Sequence, residues 1–176
     1  NILNSDQELQ DIISDNKVDI VVSAIVGFAG LKASLMAVNA GKIVLIANKE
    51  SIVAAGDILM PLAKSRGAQI IPIDSEHNAI FQCLPANKLT TDVSKIIITA
   101  SGGPFLDIPL SKLNNISPKD ALKHPNWEMG SKISIDSATL VNKCLELIEA
   151  RYLFDLNEKL FDLVIHPQSI IHSIVT

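Results

Sequence analysis

Asp74 and Glu76 stand two residues apart, directly after the apolar run at residues 69–73, with Ser75 between them and His77 following. At the end of a strand, the two-residue side-chain period points both carboxylates to one face. Two acids on one face either need a cation or are an ordinary solvated strand end. Residues 138–154 have the period of a helix, and along it Thr139, Asn142, Lys143, Glu146 and Glu149 recur at intervals of three and four, forming one polar stripe. Leu140, Val141, Cys144, Leu145, Leu147 and Ile148 cover the rest of that helix. The stripe is either a solvated face or, if the helix is largely buried, the lining of a cleft that offers a further carboxylate. Oxygen ligands without His or Cys favour a hard cation, magnesium or manganese.

A phosphate group is held by backbone N–H groups, hydroxyls and a cation. Ser101-Gly102-Gly103 follows a strand and can form a nest of amides, while Asp136-Ser137 is expected at the N-terminus of the helix just described. Each has a plainer reading as a turn and an N-cap. Lys143, one turn into the helix, adds a charge that a cap does not need. His124 and Trp127, the only Trp, fall in a long polar stretch, residues 109–132, where they form either part of a lid or a surface histidine and a packing anchor. His77, His166 and His172 match no ligand spacing with one another and are assigned to structure.

These groups need a scaffold. The 176 residues are 48% hydrophobic, enough to bury a core. A net charge of -4 with interspersed signs offers no broad basic surface, so nucleic acid is not an expected partner. Cys83 and Cys144 form no metal or disulfide pattern, and no apolar run reaches the roughly 18–20 residues of a membrane helix. A start without Met and an end inside an apparent strand read as a piece of a longer chain.

Helix and strand patterns alternate along residues 6–14, 18–23, 31–39, 42–47, 48–64 and 69–73, which calls for a parallel sheet. Asn48-Lys49-Glu50 and Asp74-Ser75-Glu76 both fall at carboxyl ends of strands, where ligands of open α/β sheets sit. A helix at 78–83, strands at 95–99 and 163–165 and a final strand in 169–176 complete the pattern. The expected fold is α/β: a truncated Rossmann-like parallel sheet, residues 1–73, followed by an α+β catalytic domain, residues 74–176.

The stretches Ala47-Asn48-Lys49-Glu50-Ser51, Asp74 to Gln82, Ser101 to Phe105, His124 to Gly130, Asp136-Ser137-Ala138, Asn142-Lys143, Glu146 and His166-Pro167-Gln168-Ser169 resemble, in order and spacing, the 1-deoxy-D-xylulose 5-phosphate reductoisomerases. The resemblance covers nearly the whole chain. It implies conversion of 1-deoxy-D-xylulose 5-phosphate and NADPH to 2-C-methyl-D-erythritol 4-phosphate in non-mevalonate isoprenoid biosynthesis. By matching position it implies Asp74, Glu76 and Glu146 as ligands of Mg2+ or Mn2+. Lys49, Ser75, Glu76, Ser101, His124, Ser137, Asn142, Lys143 and Glu146 are then substrate contacts, with Glu76, Lys143 and His124 the catalytic ones. Asn48, Glu50 and Gly130 become contacts to NADPH. The implied partner is a sugar phosphate, with no nucleic acid and no membrane, in a homodimer. The implied location is the cytoplasm of a bacterium, or a plastid-type organelle in a plant or apicomplexan. The family's glycine-rich dinucleotide turn and C-terminal helical domain are not in this sequence, so the chain by itself is expected to be inactive. The competing readings are a magnesium-dependent sugar-phosphate phosphohydrolase and a non-catalytic dimerisation module.

Overall fold

The computed structural model describes residues 5–84, 92–124 and 128–176. The chain opens with α1 (Asp6–Ser14), whose first turn is capped by Ser5 Oγ accepting from the Glu8 amide. Three strands joined by two helices follow: β1 (Ile20–Ser23), α2 (Gly30–Asn39), β2 (Ile43–Ile46), α3 (Lys49–Arg66) and β3 (Gln69–Pro72). The strands pair in parallel in the order β1-β2-β3. Parallel neighbours need a crossover, and helices long enough to return the chain supply it. The continuous apolar run of β2 reflects its central place, with Val44 and Ile46 at 0% and 1% exposure. Ala37, Val38, Ile52 and Leu59 of the two crossover helices close over it. Full burial of a side chain of this size contributes about 1.5–3 kcal/mol.

Beyond β3 come α4 (Ser75–Cys83), β4 (Ile96–Ala100), a 3-10 turn (Leu110–Asn115), α5 (Pro118–Ala121), α6 (Ser131–Ala138), α7 (Val141–Phe154), β5 (Phe161–Ile165) and β6 (Ser173–Val175). Here the strand order is β5-β4-β6, parallel on one side of β4 and antiparallel on the other. Ile80, Ile96, Ile98, Ala150 and Phe154 form a second core. Leu153 of α7 packs against both cores, so α7 ties the two sheets together. The α/β class read from the sequence, opening with a parallel sheet, is the one present, and the structure adds that the second sheet is mixed.

Four local expectations are corrected. The helix expected at 78–83 begins three residues earlier, because Asp74 caps it by accepting from the Ser75 amide. The helix expected at 138–154 starts at Val141, and a separate helix, α6, ends at Ala138 before it. Thr139 Oγ1 turns back to the carbonyls of Ile135 and Asp136, and Leu140 takes a left-handed conformation at φ 60° before α7 starts. Within the stretch 109–132, Leu110–Asn115 and Pro118–Ala121 form short helical turns rather than open loop. The last strand is confined to residues 173–175, with Ser169 at φ 51° breaking the extended run before it.

Candidate active site

Asp74 and Glu76 do converge, though not as alternate residues of a strand. Asp74 is the N-cap of α4 and Glu76 lies in its first turn. The helix start, rather than strand pleat, sets their geometry. Glu146 reaches the same point from α7, and one carboxylate oxygen from each of the three lies within 4.8 Å of the others. Opposed ligands on a magnesium ion lie about 4.2 Å apart, so this set fits a hard cation after small adjustments. A second group, Asp74, His77 and Glu149, meets the same distance test. It is more enclosed, since His77 and Glu149 are 0% and 1% exposed, and it mixes imidazole with carboxylates. The three-carboxylate group is the better seat for a hard cation.

Two lysines lie among these acids. Lys49, in the first turn of α3, pairs with Asp74 and stands 3.4 Å from Glu146 Oε1. Lys143 of α7 stands 3.0 Å from Glu76 Oε1 and 2.6 Å from Glu146 Oε2. Burial opposes the charge on Lys49, but Asp74 and Glu146 overcome it and hold the ammonium above its ordinary pKa. Burial likewise works against the Asp74 carboxylate, yet Lys49 and His77 keep it below its usual range. For Glu146 the balance falls the other way. Burial, reinforced by the Asp74 charge, pushes its carboxyl up to about 7 in the absence of a cation. A divalent ion would reverse that balance, because it favours the carboxylate.

The stripe read from the sequence is the buried side of α7. Asn142, Lys143, Glu146 and Glu149 are 8% exposed or less, whereas Val141 and Ile148 are above 40% and Cys144 is exposed. Burial on this helix follows the polar residues, the reverse of an ordinary amphipathic helix. Asn142 donates to Glu146 Oε1, and its own Oδ1 has no partner, which leaves an acceptor for a ligand hydroxyl.

A tight glycine turn forms where β4 ends. Gly102 and Gly103 have φ of 90° and 70°, and Ser101 Oγ accepts from the Gly103 amide while lying 3.0 Å from His124 Nε2. A Cβ on Gly103 would come within 2.9 Å of the Ser137 carbonyl, so this turn is pressed against the end of α6. Ser101, His124 and Ser137 are thereby gathered. Asp136 and Ser137 belong to the last turn of α6, not to the N-terminus of the following helix, and Asp136 is paired with Lys132. The dipole argument for that pair of residues therefore fails, and proximity to the glycine turn replaces it. Ser75 Oγ donates to Glu76 Oε2. Trp127, with Pro125 and Asn126, lies outside the described residues, and so does the lid expected of it.

Asn48, Glu50 and Gly130 are brought to one end of the sheet by Lys132, which pairs with Glu50 at 2.7 Å two residues after Gly130. Asn48 is 3% exposed, and its amide donates to the carbonyls of Ile25 and Gly27. Its side chain thus shapes the loop beyond β1. Burial opposes the charge on Glu50, but Lys132 prevails and holds the carboxyl below its ordinary pKa.

From the sequence His77 is assigned to structure, and Glu149 is one of the polar stripe with no further role. His77 Nε2 lies 2.8 Å from the Glu146 carbonyl, and Nδ1 lies 3.2 Å from Glu149 Oε2 and 3.6 Å from Asp74 Oδ2. Burial holds His77 below its ordinary pKa and pushes Glu149 up to about 8. The available signal was that His77 lies one helical turn from Asp74, and Glu149 one turn from Glu146. His166 is structural as expected, its Nε2 accepting from the amides of Ile170 and Ile171.

A parallel sheet and a second, mixed sheet, with three carboxylates and two lysines gathered between α4, α3 and α7, make this an α/β protein whose acids could hold a hard cation. The family model described as 1-deoxy-D-xylulose 5-phosphate reductoisomerase matches residues 1–56, and that of the C-terminal domain of the same enzyme matches residues 70–154. The chain belongs to the 1-deoxy-D-xylulose 5-phosphate reductoisomerase family. It is 55% identical to the reductoisomerase of Acinetobacter baylyi, over 99% of its own length and 46% of that protein's. With the reductoisomerase of Vesicomyosocius okutanii the identity is 53%, over 99% and 45%. Among solved structures, a DOX-P reductoisomerase in complex with NADPH, fosmidomycin and magnesium aligns with a TM-score of 0.93 at 55% identity, over 99% of this chain and 45% of that one. The reductoisomerase of Zymomonas mobilis in complex with NADPH aligns with a TM-score of 0.86 at 47% identity, over 96% and 43%. The chain spans a little under half the length of the relatives it matches.

Proposed function

We propose that the protein to which these 176 residues belong is an NADPH- and divalent-metal-dependent reductoisomerase that converts 1-deoxy-D-xylulose 5-phosphate to 2-C-methyl-D-erythritol 4-phosphate. The observation that carries this reading is the meeting of Asp74, Glu76 and Glu146 between α4 and α7 with Lys49 and Lys143 among them. Membership of the family supports it. When bound, magnesium or manganese supplies Lewis-acid polarisation of the substrate's carbonyl and hydroxyl oxygens, and NADPH supplies the hydride.

The chain's own residues divide the remaining work. Asp74, Glu76 and Glu146 hold the ion. Lys143 and Lys49 offset charge on substrate oxygens as the carbon skeleton rearranges, and Glu76 assists proton transfer beside the metal. Ser75 and Asn142 bind substrate oxygens, while Ser101, His124 and Ser137 around the glycine turn grip the phosphate. Asn48, Glu50 and Gly130 border the nicotinamide cofactor. We also assign the protein to the bacterial cytoplasm and to a homodimeric state, consistent with its bacterial relatives and with the lack, among the described residues, of any helix long and apolar enough to cross a membrane.

The test follows NADPH in the intact protein. Oxidation should require both 1-deoxy-D-xylulose 5-phosphate and a divalent ion, and should stop on chelation. Release of inorganic phosphate without NADPH oxidation would sink this reading.

A further inference from the structure

Glu149 is 1% exposed, carries an acid into the protein interior and belongs to none of the groups just assigned. Glu149 Oε2 lies 3.2 Å from His77 Nδ1, and neither of these two atoms has a hydrogen-bond partner elsewhere among the described residues. The other ring nitrogen, Nε2, faces the main-chain carbonyl of Glu146 at 2.8 Å. A carbonyl only accepts, so Nε2 carries a hydrogen whatever the state of the ring. Nδ1 is then turned toward Glu149, and one proton between them completes the bond from either side. The ring edge also lies 3.6 Å from Asp74 Oδ2, one helical turn back on α4.

We infer that Glu149 is a positioning residue for the metal site, fixing the His77 ring so that it clamps α4 at Asp74 to α7 at Glu146. This rests on the metal-dependent reading above. Asp74 and Glu146 come from different helices, and their separation depends on what joins those helices. Among the described residues, the His77 bond to the Glu146 carbonyl joins α4 to the main chain at one of the proposed ligands. Without Glu149 the ring is free to turn about its Cβ–Cγ bond and release that carbonyl. Residues that orient ligands in this way commonly change metal affinity by about 10–100-fold when removed.

The experiment is a calorimetric titration of the intact, metal-free protein with Mn2+. Glu149→Leu should weaken binding at least about tenfold, raise the magnesium concentration needed for half-maximal turnover, and regain most of kcat at saturating magnesium. Glu149→Gln, whose amide can donate to Nδ1, should stay within about threefold of wild type. Manganese affinity unchanged in Glu149→Leu, with Asp74→Asn showing a large loss, overturns the inference and leaves the metal reading standing. Unchanged affinity in Asp74→Asn as well overturns the metal reading itself. Should Glu149→Leu not fold, the wild type decides: the 15N resonance of His77 Nδ1 should move on magnesium titration, and a resonance that stays fixed overturns the inference.

Discussion

Glu146 shows how much a single residue depends on its surroundings. Its side chain is 1% exposed, yet it meets Lys49, Lys143 and Asn142. Replacing it by Gln keeps the shape and removes the charge. Glu146→Gln should lower metal-dependent turnover by at least about a hundredfold, far more than it lowers the stability of the metal-free protein, because Lys49 and Lys143 keep Asp74 and Glu76 as partners when the Glu146 charge is lost. Steady-state kinetics at limiting magnesium, set beside calorimetric unfolding, checks both halves. Glu50 offers a pH test away from the carboxylate cluster. Its folded pKa is lowered, so its pairing with Lys132 adds stability that is present above the ordinary carboxylate pKa and is lost as pH falls through the folded value. Glu50→Gln should therefore unfold below the wild type at neutral pH, and the gap should close as the solution is acidified. A gap independent of pH would refute the assignment.

At the scale of elements, close approach is the recurring device. Tyr152 of α7 lies over Gly56 of α3 so tightly that a Cβ there would sit 2.5 Å from the ring. Gly56→Ala should cost about 1–3 kcal/mol, because the ring cannot retreat without disturbing the face that joins the two cores. Denaturant unfolding measures it. Gly103, at φ 70° and pressed against the Ser137 carbonyl, should tolerate Ala still less well, losing both stability and affinity for phosphonate substrate mimics. Calorimetric titration with such a mimic reads the second effect. These contacts also show why element boundaries were misread. Thr139, Asn142 and Glu146 keep helical spacing straight across the break at Leu140, so periodicity continues where the backbone does not.

For the whole molecule, the proposed ligands are split between α4 and α7, which belong to the second core, while Lys49 comes from α3 of the first. Metal binding should then stabilise the fold as a unit. At a free ion concentration one hundred times the Kd, the gain is about 2.7 kcal/mol. Addition of magnesium should raise the melting temperature of the intact protein and EDTA should reverse the rise; a melting temperature indifferent to magnesium would argue against a native-state site.

The sequence by itself determined the alternation of helices and strands, the parallel sheet and the identity of the acids, because period and β-branching act over neighbouring residues. It also carried the family resemblance, since ordered motifs survive without any knowledge of contacts. Only the tertiary structure decided that Asp74 and Glu76 meet through a helix cap rather than a strand face. It alone turned the polar side of α7 inward, leaving Val141 and Ile148 exposed. Placing Ser137 beside the glycine turn, and His77 between Asp74 and Glu149, depended on residues dozens of positions apart. Such contacts are set by how whole elements pack, and no local pattern records them.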